Sequence, residues 1–274
     1  MVNILFSGNK KVFDGALSEL ISICNRTKEA ITCYIFTMDV SRIKPEFVCI
    51  EDEQIEFLNK VVQSKNPESK VIKCDVTQLY EKEFGGCKNE GAYCTPYTLL
   101  RLLADQIDGM PDKLLYLDID IMVDGDISEL YNIDITNYEY AAVKEKIGSV
   151  LLWSDYINAG MLLLNMKKIR ETGMLEKARE LIKTKKFLFA DQTAIYKATT
   201  SKVLIPRRFN EQGSFTRDDT LICHFCKRLL LRPYPHITNY KQWQIDKVHK
   251  ELRCFRFDKD LEEYVKLKNE FESR

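Results

Sequence analysis

Lys113-Leu114-Leu115-Tyr116-Leu117-Asp118-Ile119-Asp120 is the stretch on which the fold turns. Leu114 to Leu117 is an almost wholly apolar run of buried-strand length, and it stops abruptly at two carboxylates. In a strand side chains alternate, so Asp118 and Asp120 are expected on the same side of it, at the sheet's edge. Two like charges that close raise each other's pKa unless a cation sits between them, and a divalent metal supplies one. Asp-x-Asp by itself is often a solvated turn or a helix cap. Acids that crown a buried apolar strand are costly without a partner, and this position distinguishes the pair. The stretch therefore reads as a metal site at the carboxyl end of a strand, where open α/β sheets bind ligands.

The chain before this stretch alternates strands and helices. Val2 to Phe6 reads as a strand, broken by Ser7-Gly8-Asn9. Phe13, Ala16, Leu17, Leu20, Ile21 and Cys24 then repeat at helical spacing. Ile31 to Phe36 is a second strand, Ile55 to Val62 lies on a second helix, and Val71 to Val76 is a third strand. Leu99 to Ile107 supplies a third helix. The alternation predicts a parallel, doubly wound sheet. Neither G-x-G-x-x-G nor G-x-x-x-x-G-K-[ST] occurs, so the dinucleotide and P-loop readings lose their main support.

The second half is less regular. Tyr140 to Val143 is a short strand and Lys144 to Tyr156 a polar, Gly-containing loop. Ile157 to Asn165 is a strand with small and polar residues at its ends. Helices follow from about Leu175 to Lys183 and after Asp191, and Leu221 to Phe225 is a last buried strand carrying His224. Two carboxylates and an imidazole suit a Mn²⁺-like ion, although a lone His in an apolar strand is often only a core residue. Cys223 and Cys226 flank His224, but no second cysteine pair lies at zinc-finger spacing. Asn158-Ala159-Gly160 offers amide groups and close approach to a polyhydroxylated ligand; its plainer role is a turn into a strand. Asp191 and Gln192 either face the same pocket or serve as an N-cap and its neighbour. Lys227, Arg228, Arg232 and Lys241 are cations placed to clamp phosphates, or a solvated surface.

Composition narrows the classes further. Lys plus Arg and Asp plus Glu are 41 each, so no basic field argues for nucleic acid. Nine cysteines without framework spacing read as reduced thiols and a cytoplasmic protein. The start lacks a basic n-region, and no apolar run approaches a membrane span. The tail from Asp258 is amphipathic, but its mixed charge gives no support to a membrane-surface helix, so peripheral attachment at the inner face of a membrane rests on nothing but analogy. One domain over residues 1–250 with a C-terminal helical appendage over 251–274 is the expected partition.

In order, Leu115-Tyr116-Leu117-Asp118-Ile119-Asp120, Asn158-Ala159-Gly160-Met161-Leu162-Leu163-Leu164-Asn165, Asp191-Gln192, Arg208-Phe209-Asn210, His224 and Lys241-x-Trp243 resemble glycosyltransferase family 8. That family groups bacterial lipopolysaccharide α-galactosyl- and α-glucosyltransferases with glycogenin and plant galacturonosyltransferases. The resemblance implies a GT-A fold with a mixed, mainly parallel central sheet. It also implies a UDP-sugar donor (UDP-glucose or UDP-galactose), a saccharide or lipopolysaccharide-type acceptor, and retention of anomeric configuration. Asp118, Asp120 and His224 would hold Mn²⁺, with Mg²⁺ as the alternative. Ser7, Gly8 and Asn9 would line the uridine pocket, and Arg101 would reach the donor's phosphates or sugar. Ile119 and Ala159 would complete the donor site between the metal ligands and the sugar. Asn158, Asp191 and Gln192 would face the transferred sugar, with Gln192 nearest the reacting carbon, and Lys241 would touch the β-phosphate. Asn9 and Val12 stand where the family usually has an acid and an aromatic, and Lys227 stands where it has a Gly.

Two rival classes share these features. A haloacid-dehalogenase-like phosphatase also carries Asp-x-Asp after a strand, with Asp118 as nucleophile and Asp218-Asp219 as its later acids. Its motif normally follows the first strand, whereas three strands precede it here. A non-catalytic sugar-nucleotide-binding module is the other rival, motivated by the altered uridine pocket.

Overall fold

The computed structural model describes residues 1–90, 95–213, 215, 217–230, 234 and 236–274. The apolar runs of the first half form β1 (Val2–Ser7), β2 (Ile31–Thr37), β3 (Lys70–Asp75) and β4 (Lys113–Leu117), all parallel, in the order β3-β2-β1-β4. The chain then leaves this sheet for β5 (Ile121–Val123) and returns as β6 (Tyr140–Lys144), β7 (Ile157–Asn165) and β8 (Lys202–Leu204). β7 runs antiparallel to both β4 and β6, while β8 is parallel to β6, so the seven-stranded sheet is mixed but mainly parallel. β9 (Ile222–His224) pairs antiparallel with β5, and β10 (Arg228–Leu230) with β11 (His236–Thr238).

β4 sits between β1 and β7, which explains its composition. Leu115 and Leu117 pack into a core beneath the Phe13–Cys24 and Asp52–Lys65 helices. Leu114 and Tyr116 pack into a second core under the Met174–Thr184 and Ala190–Ala198 helices. A strand covered on both faces must be apolar at every position.

The expected elements are present, and helices over Thr77–Phe84 and Met166–Thr172 and the strand β8 are added to them. A 3₁₀ winding over Pro96–Gln106 replaces the expected helix from Leu99 to Ile107; its buried Leu99, Leu100, Leu102 and Leu103 give the same apolar spacing as an α-helix. The Lys144–Tyr156 loop contains a helical turn, Gly148–Leu151, that leaves Val150 and Leu151 exposed. β5 and the β10–β11 hairpin are too short to leave a periodic signal. Arg232 lies outside the described residues.

The tail forms a helix, Asp258–Glu272, against the Phe13–Cys24 helix. Tyr264 donates a hydrogen bond to Asp14 Oδ1 at 2.8 Å, and Lys268 Nζ pairs with the same oxygen at 2.7 Å. The Phe271 ring lies 4.6 Å from that of Phe13 and 5.2 Å from that of Phe57. Because Phe271 is half-buried, Phe271→Ala should cost about 1–2 kcal/mol, less than a fully buried ring. Urea denaturation followed by circular dichroism checks this; an unchanged midpoint would mean that the tail contributes nothing to the core.

Candidate active site

The acidic pair lies just beyond β4, in the turn that leads into β5, rather than on the strand itself. The Asp118 amide donates to the Gly160 carbonyl at 2.7 Å, the last link to β7 before the chain turns away. β5 then pairs with β9 in a register that sets Ile121 opposite His224, and the Phe225 amide donates to the Asp120 carbonyl at 2.7 Å. This ribbon carries the imidazole to the acids. One ligand atom from each of Asp118, Asp120 and His224 lies within 4.8 Å of the others. His224 Nε2 is 3.1 Å from Asp120 Oδ1 and 3.8 Å from Asp118 Oδ2. Two hard oxygens and an imidazole nitrogen at such spacing fit one divalent ion of the Mn²⁺ or Mg²⁺ type.

Lys241 Nζ meets the other Asp120 oxygen at 2.5 Å. Burial alone would raise the Asp120 pKa, but His224 and Lys241 beside it hold the carboxyl well below the usual range. The segment carrying Lys241 is fastened by Gln242, whose Nε2 donates to the Ile119 carbonyl at 2.9 Å. Trp243 packs close to Gly15 and Ile119, where a Cβ on Gly15 would come within 3.0 Å of the indole and 2.0 Å of Ile119 Cγ2.

Arg101 is the buried cation of the site, 3% exposed. Its Nη2 donates to Asp118 Oδ1 at 2.9 Å, its Nη1 to the Ala159 carbonyl, and its Nε to the Thr98 carbonyl, with Asp191 Oδ2 3.3 Å away. The guanidinium lies 3.8 Å over the Tyr116 ring, and the Tyr116 hydroxyl donates to Asp118 Oδ1 at 2.8 Å. Asp191 is not a helix cap, since Phe189 holds that position; it is buried against Arg101. Burial raises its pKa, and Arg101 draws it partly back.

A cleft of about 240 Å³ opens over these groups. Ser7, Arg101, Asp118, Ile119, Asp120 and Lys241 line it, together with Lys11, Val12 and Trp243. Thr95, Tyr97, Thr98 and Tyr116 complete the wall. Gly8, Asn9, Asn158, Ala159, Asp191 and Gln192 are not on that wall. Asn9 instead caps the next turn, accepting from the Lys11 amide at 3.0 Å, and Gly8 lies where a Cβ would strike Val12. Gln192 Oε1 accepts from the Ala159 amide at 3.0 Å. Asn158 Oδ1 accepts from the Gly160 amide and from Asn210 Nδ2, each at 3.0 Å. Ser7 Oγ is buried with no hydrogen-bond partner among the described residues, a polar group at the edge of the cleft.

Several residues of the site escape a reading by type. Asn210 is fully buried and meets His224 Nδ1 at 3.0 Å through Oδ1; only its place in the Arg208-Phe209-Asn210 segment marks it. Gly160 is required by contact: a Cβ there would lie 2.2 Å from His224 Cε1 and 2.8 Å from Asp118 Oδ2. Glu19 looks like one more polar position on an amphipathic helix. It is buried, with neither carboxyl oxygen hydrogen-bonded among the described residues, and burial first, then Asp120 and Asp118, push its pKa well up. Asp218 and Asp219, which the phosphatase reading needs, do not join the acidic cluster; Asp219 pairs with Arg217 at the surface.

A sheet of this order with a metal-competent cluster at its carboxyl end defines a GT-A glycosyltransferase fold. The galactosyltransferase LgtC, solved in complex with donor and acceptor sugar analogs, superimposes with a TM-score of 0.66 at 15% identity, covering 97% of this chain and 96% of that one. The bifunctional glycosyltransferase WbbM in its apo form gives a TM-score of 0.72 at 17% identity, over 97% of this chain and 51% of that one. The family model described as Glycosyl transferase family 8 matches residues 3–245, and the chain belongs to that family. Glycosyltransferase GlyA of Streptococcus pneumoniae is 28% identical over 174 residues, 64% of this chain and 22% of the relative. Lipopolysaccharide 1,2-glucosyltransferase of Escherichia coli is 30% identical over 124 residues, 40% of this chain and 37% of the relative. The matched stretches thus span about half or less of these curated relatives' lengths.

Two outcomes follow from the geometry. Gly160→Ala should leave the protein folded but weaken Mn²⁺ binding about tenfold or more, because the methyl displaces His224 or Asp118; calorimetric titration with Mn²⁺ measures it, and an unaltered affinity contradicts it. A carboxyl raised by folding keeps its proton in the folded chain and loses it in the unfolded one, so its cost to stability grows as the pH rises above about 4. Glu19→Met should therefore raise the thermal midpoint at pH 8, with a gain that shrinks toward pH 4. A gain independent of pH would show that Glu19 is not held protonated.

Proposed function

We propose that the chain is a retaining, metal-dependent hexosyltransferase. It would move glucose or galactose from the corresponding UDP-sugar to a saccharide or lipopolysaccharide-type acceptor. The observation that carries this is the convergence of Asp118, Asp120 and His224 at a cleft that also presents Ser7, Arg101, Lys241 and Trp243, in a chain of family 8. The three ligands fit Mn²⁺, with Mg²⁺ as the alternative. When bound, the ion supplies Lewis-acid neutralisation of the diphosphate leaving group.

The chain's own residues do the rest. Ser7 would reach the uracil once its buried hydroxyl turns into the cleft, and Val12, Tyr97 and Trp243 of the cleft wall would flank the base. Lys241, freed from Asp120, adds a second positive charge for the β-phosphate. Asn158, Asp191 and Gln192 would face the transferred hexose, a role supported by the contact of Asp191 with Arg101 and of Gln192 with the Ala159 amide. Asp191 is buried and shares Arg101 with Asp118, which suits a fixed counter-charge better than an attacking nucleophile. Gln192 is an amide whose oxygen is committed to the Ala159 amide. Both favour attack by the acceptor hydroxyl on the face the diphosphate leaves, with a phosphate oxygen taking its proton. The Lys144–Tyr156 loop exposes Val150, Leu151 and Leu152, and Trp153 stacks on Tyr196 at 5.0 Å, apolar surface that would suit an acceptor with an apolar portion. Among the described residues no helix is long and apolar enough to cross a membrane, and eight cysteines are free, in keeping with the proposed cytoplasmic setting.

Calorimetric titration with UDP tests the site. Binding should require Mn²⁺ and fail in Asp120→Asn; binding unaffected by both would overturn the metal–nucleotide reading. Gln192→Ala should lower turnover without abolishing it. Complete loss together with a glycosyl adduct on Asp191 in mass spectra would replace same-face attack by double displacement.

A further inference from the structure

A backbone amide can only donate a hydrogen bond, and one such amide decides the protonation of a side chain three links away. The Gly160 N–H points at Asn158 at 3.0 Å, so the Asn158 atom there is its oxygen. The same oxygen contacts Asn210 at 3.0 Å, so Asn210 presents its NH₂ to it. The remaining Asn210 oxygen, an acceptor, faces His224 Nδ1 at 3.0 Å. That contact is a hydrogen bond only if Nδ1 carries the hydrogen. Asn210 is fully buried, His224 is 2% exposed, and no amide flip relieves one contact without spoiling another.

We infer that Asn158 and Asn210 form a relay that pins a proton on His224 Nδ1, so that Nε2, the nitrogen facing Asp118 and Asp120, is left with its lone pair for a cation held between them. Asn210 is thus a positioning residue, acting through His224, and Asn158 has a duty besides any contact with sugar. The arrangement is the amide counterpart of the carboxylate that commonly orients a metal-binding histidine. It differs in adding no negative charge to a cluster that already holds two acids, with Glu19 close by. His249, the other imidazole among the described side chains, pairs with Asp258 outside the cluster.

The inference about the proton stands apart from the proposed transfer reaction, whereas its use for a cation rests on that reading. The first test is a long-range ¹H–¹⁵N spectrum of the histidine-labelled protein, with and without Zn²⁺ as a diamagnetic probe. The His224 Nδ1 resonance should keep the shift of a protonated nitrogen throughout, and Nε2 alone should move on adding Zn²⁺. A bare Nδ1 in the metal-free protein overturns the relay. A protonated Nδ1 with no Zn²⁺ response at Nε2 leaves the relay standing and overturns the cation site.

The second test compares two variants. Asn210→Ala should lower Mn²⁺ affinity about 10–100-fold. Asn210→Asp, which still accepts from Nδ1–H but no longer donates to Asn158 Oδ1, should recover part of the affinity lost in Asn210→Ala while keeping the protonated Nδ1. A folded Asn210→Ala that binds Mn²⁺ as tightly as the parent overturns the relay's role. If Asn210→Ala does not fold, the parent spectrum and the Asp variant decide.

Discussion

The buried Arg101 guanidinium is the interaction on which the site depends. Removing such a cation from water is costly unless good partners surround it. Here the partners come from three directions: the Thr98 carbonyl of its own winding, Asp118 after β4 with the Ala159 carbonyl of β7, and Asp191 of the Ala190–Ala198 helix. Tyr116 closes the fourth side with its ring. Burial opposes the charge, but the neighbouring Tyr116, Asp191 and Asp118 more than restore it. One side chain therefore fixes the end of the central strand, the start of its antiparallel neighbour and the first turn of a helix. Asp118 is left with one oxygen held by Arg101 and Tyr116 and the other turned toward His224.

The second half of the site is added by different means. His224 arrives on a two-stranded ribbon outside the main sheet, and its placement comes from strand register rather than buried charge. Lys241 and Gln242 arrive on a segment anchored to the turn between the acids and β5. A rigid part built into the sheet thus meets a part whose own core is the smaller cluster around Met122, Phe225, Tyr240 and Leu261.

What the sequence discloses follows from which features are local. The run Leu114–Leu117 is apolar because both faces of β4 are covered, and that pressure shows in four consecutive letters. The acids stand out because they end the run. The helix after Asp52 and the amphipathic tail announce themselves by spacing. The Asn210–His224 contact and the orphaned Glu19 are products of packing between segments distant in the chain, and neither residue type distinguishes them. The plainer of the two readings of Asp191, an N-cap, fails for the same reason: its carboxylate turns to the buried Arg101, 90 residues away in the chain, and Phe189 holds the cap position. The 3₁₀ winding at Pro96–Gln106 shows that spacing reports which face is buried more reliably than which helix buries it.

Lys241 and Asp120 are 121 residues apart in the chain, and they meet at the cleft. Whatever binds across Asp118, Asp120 and His224 therefore joins the sheet to the C-terminal ribbon as a removable staple. By mass action such a ligand stabilises every conformation in which both parts are docked and none in which the ribbon has peeled away. Local opening of β9 and the segment carrying Lys241 is then the motion that ligand binding should suppress most. The site is in this sense also a hinge-pin, and its occupancy would set how often the ribbon of β9 and the segment carrying Lys241 lets go.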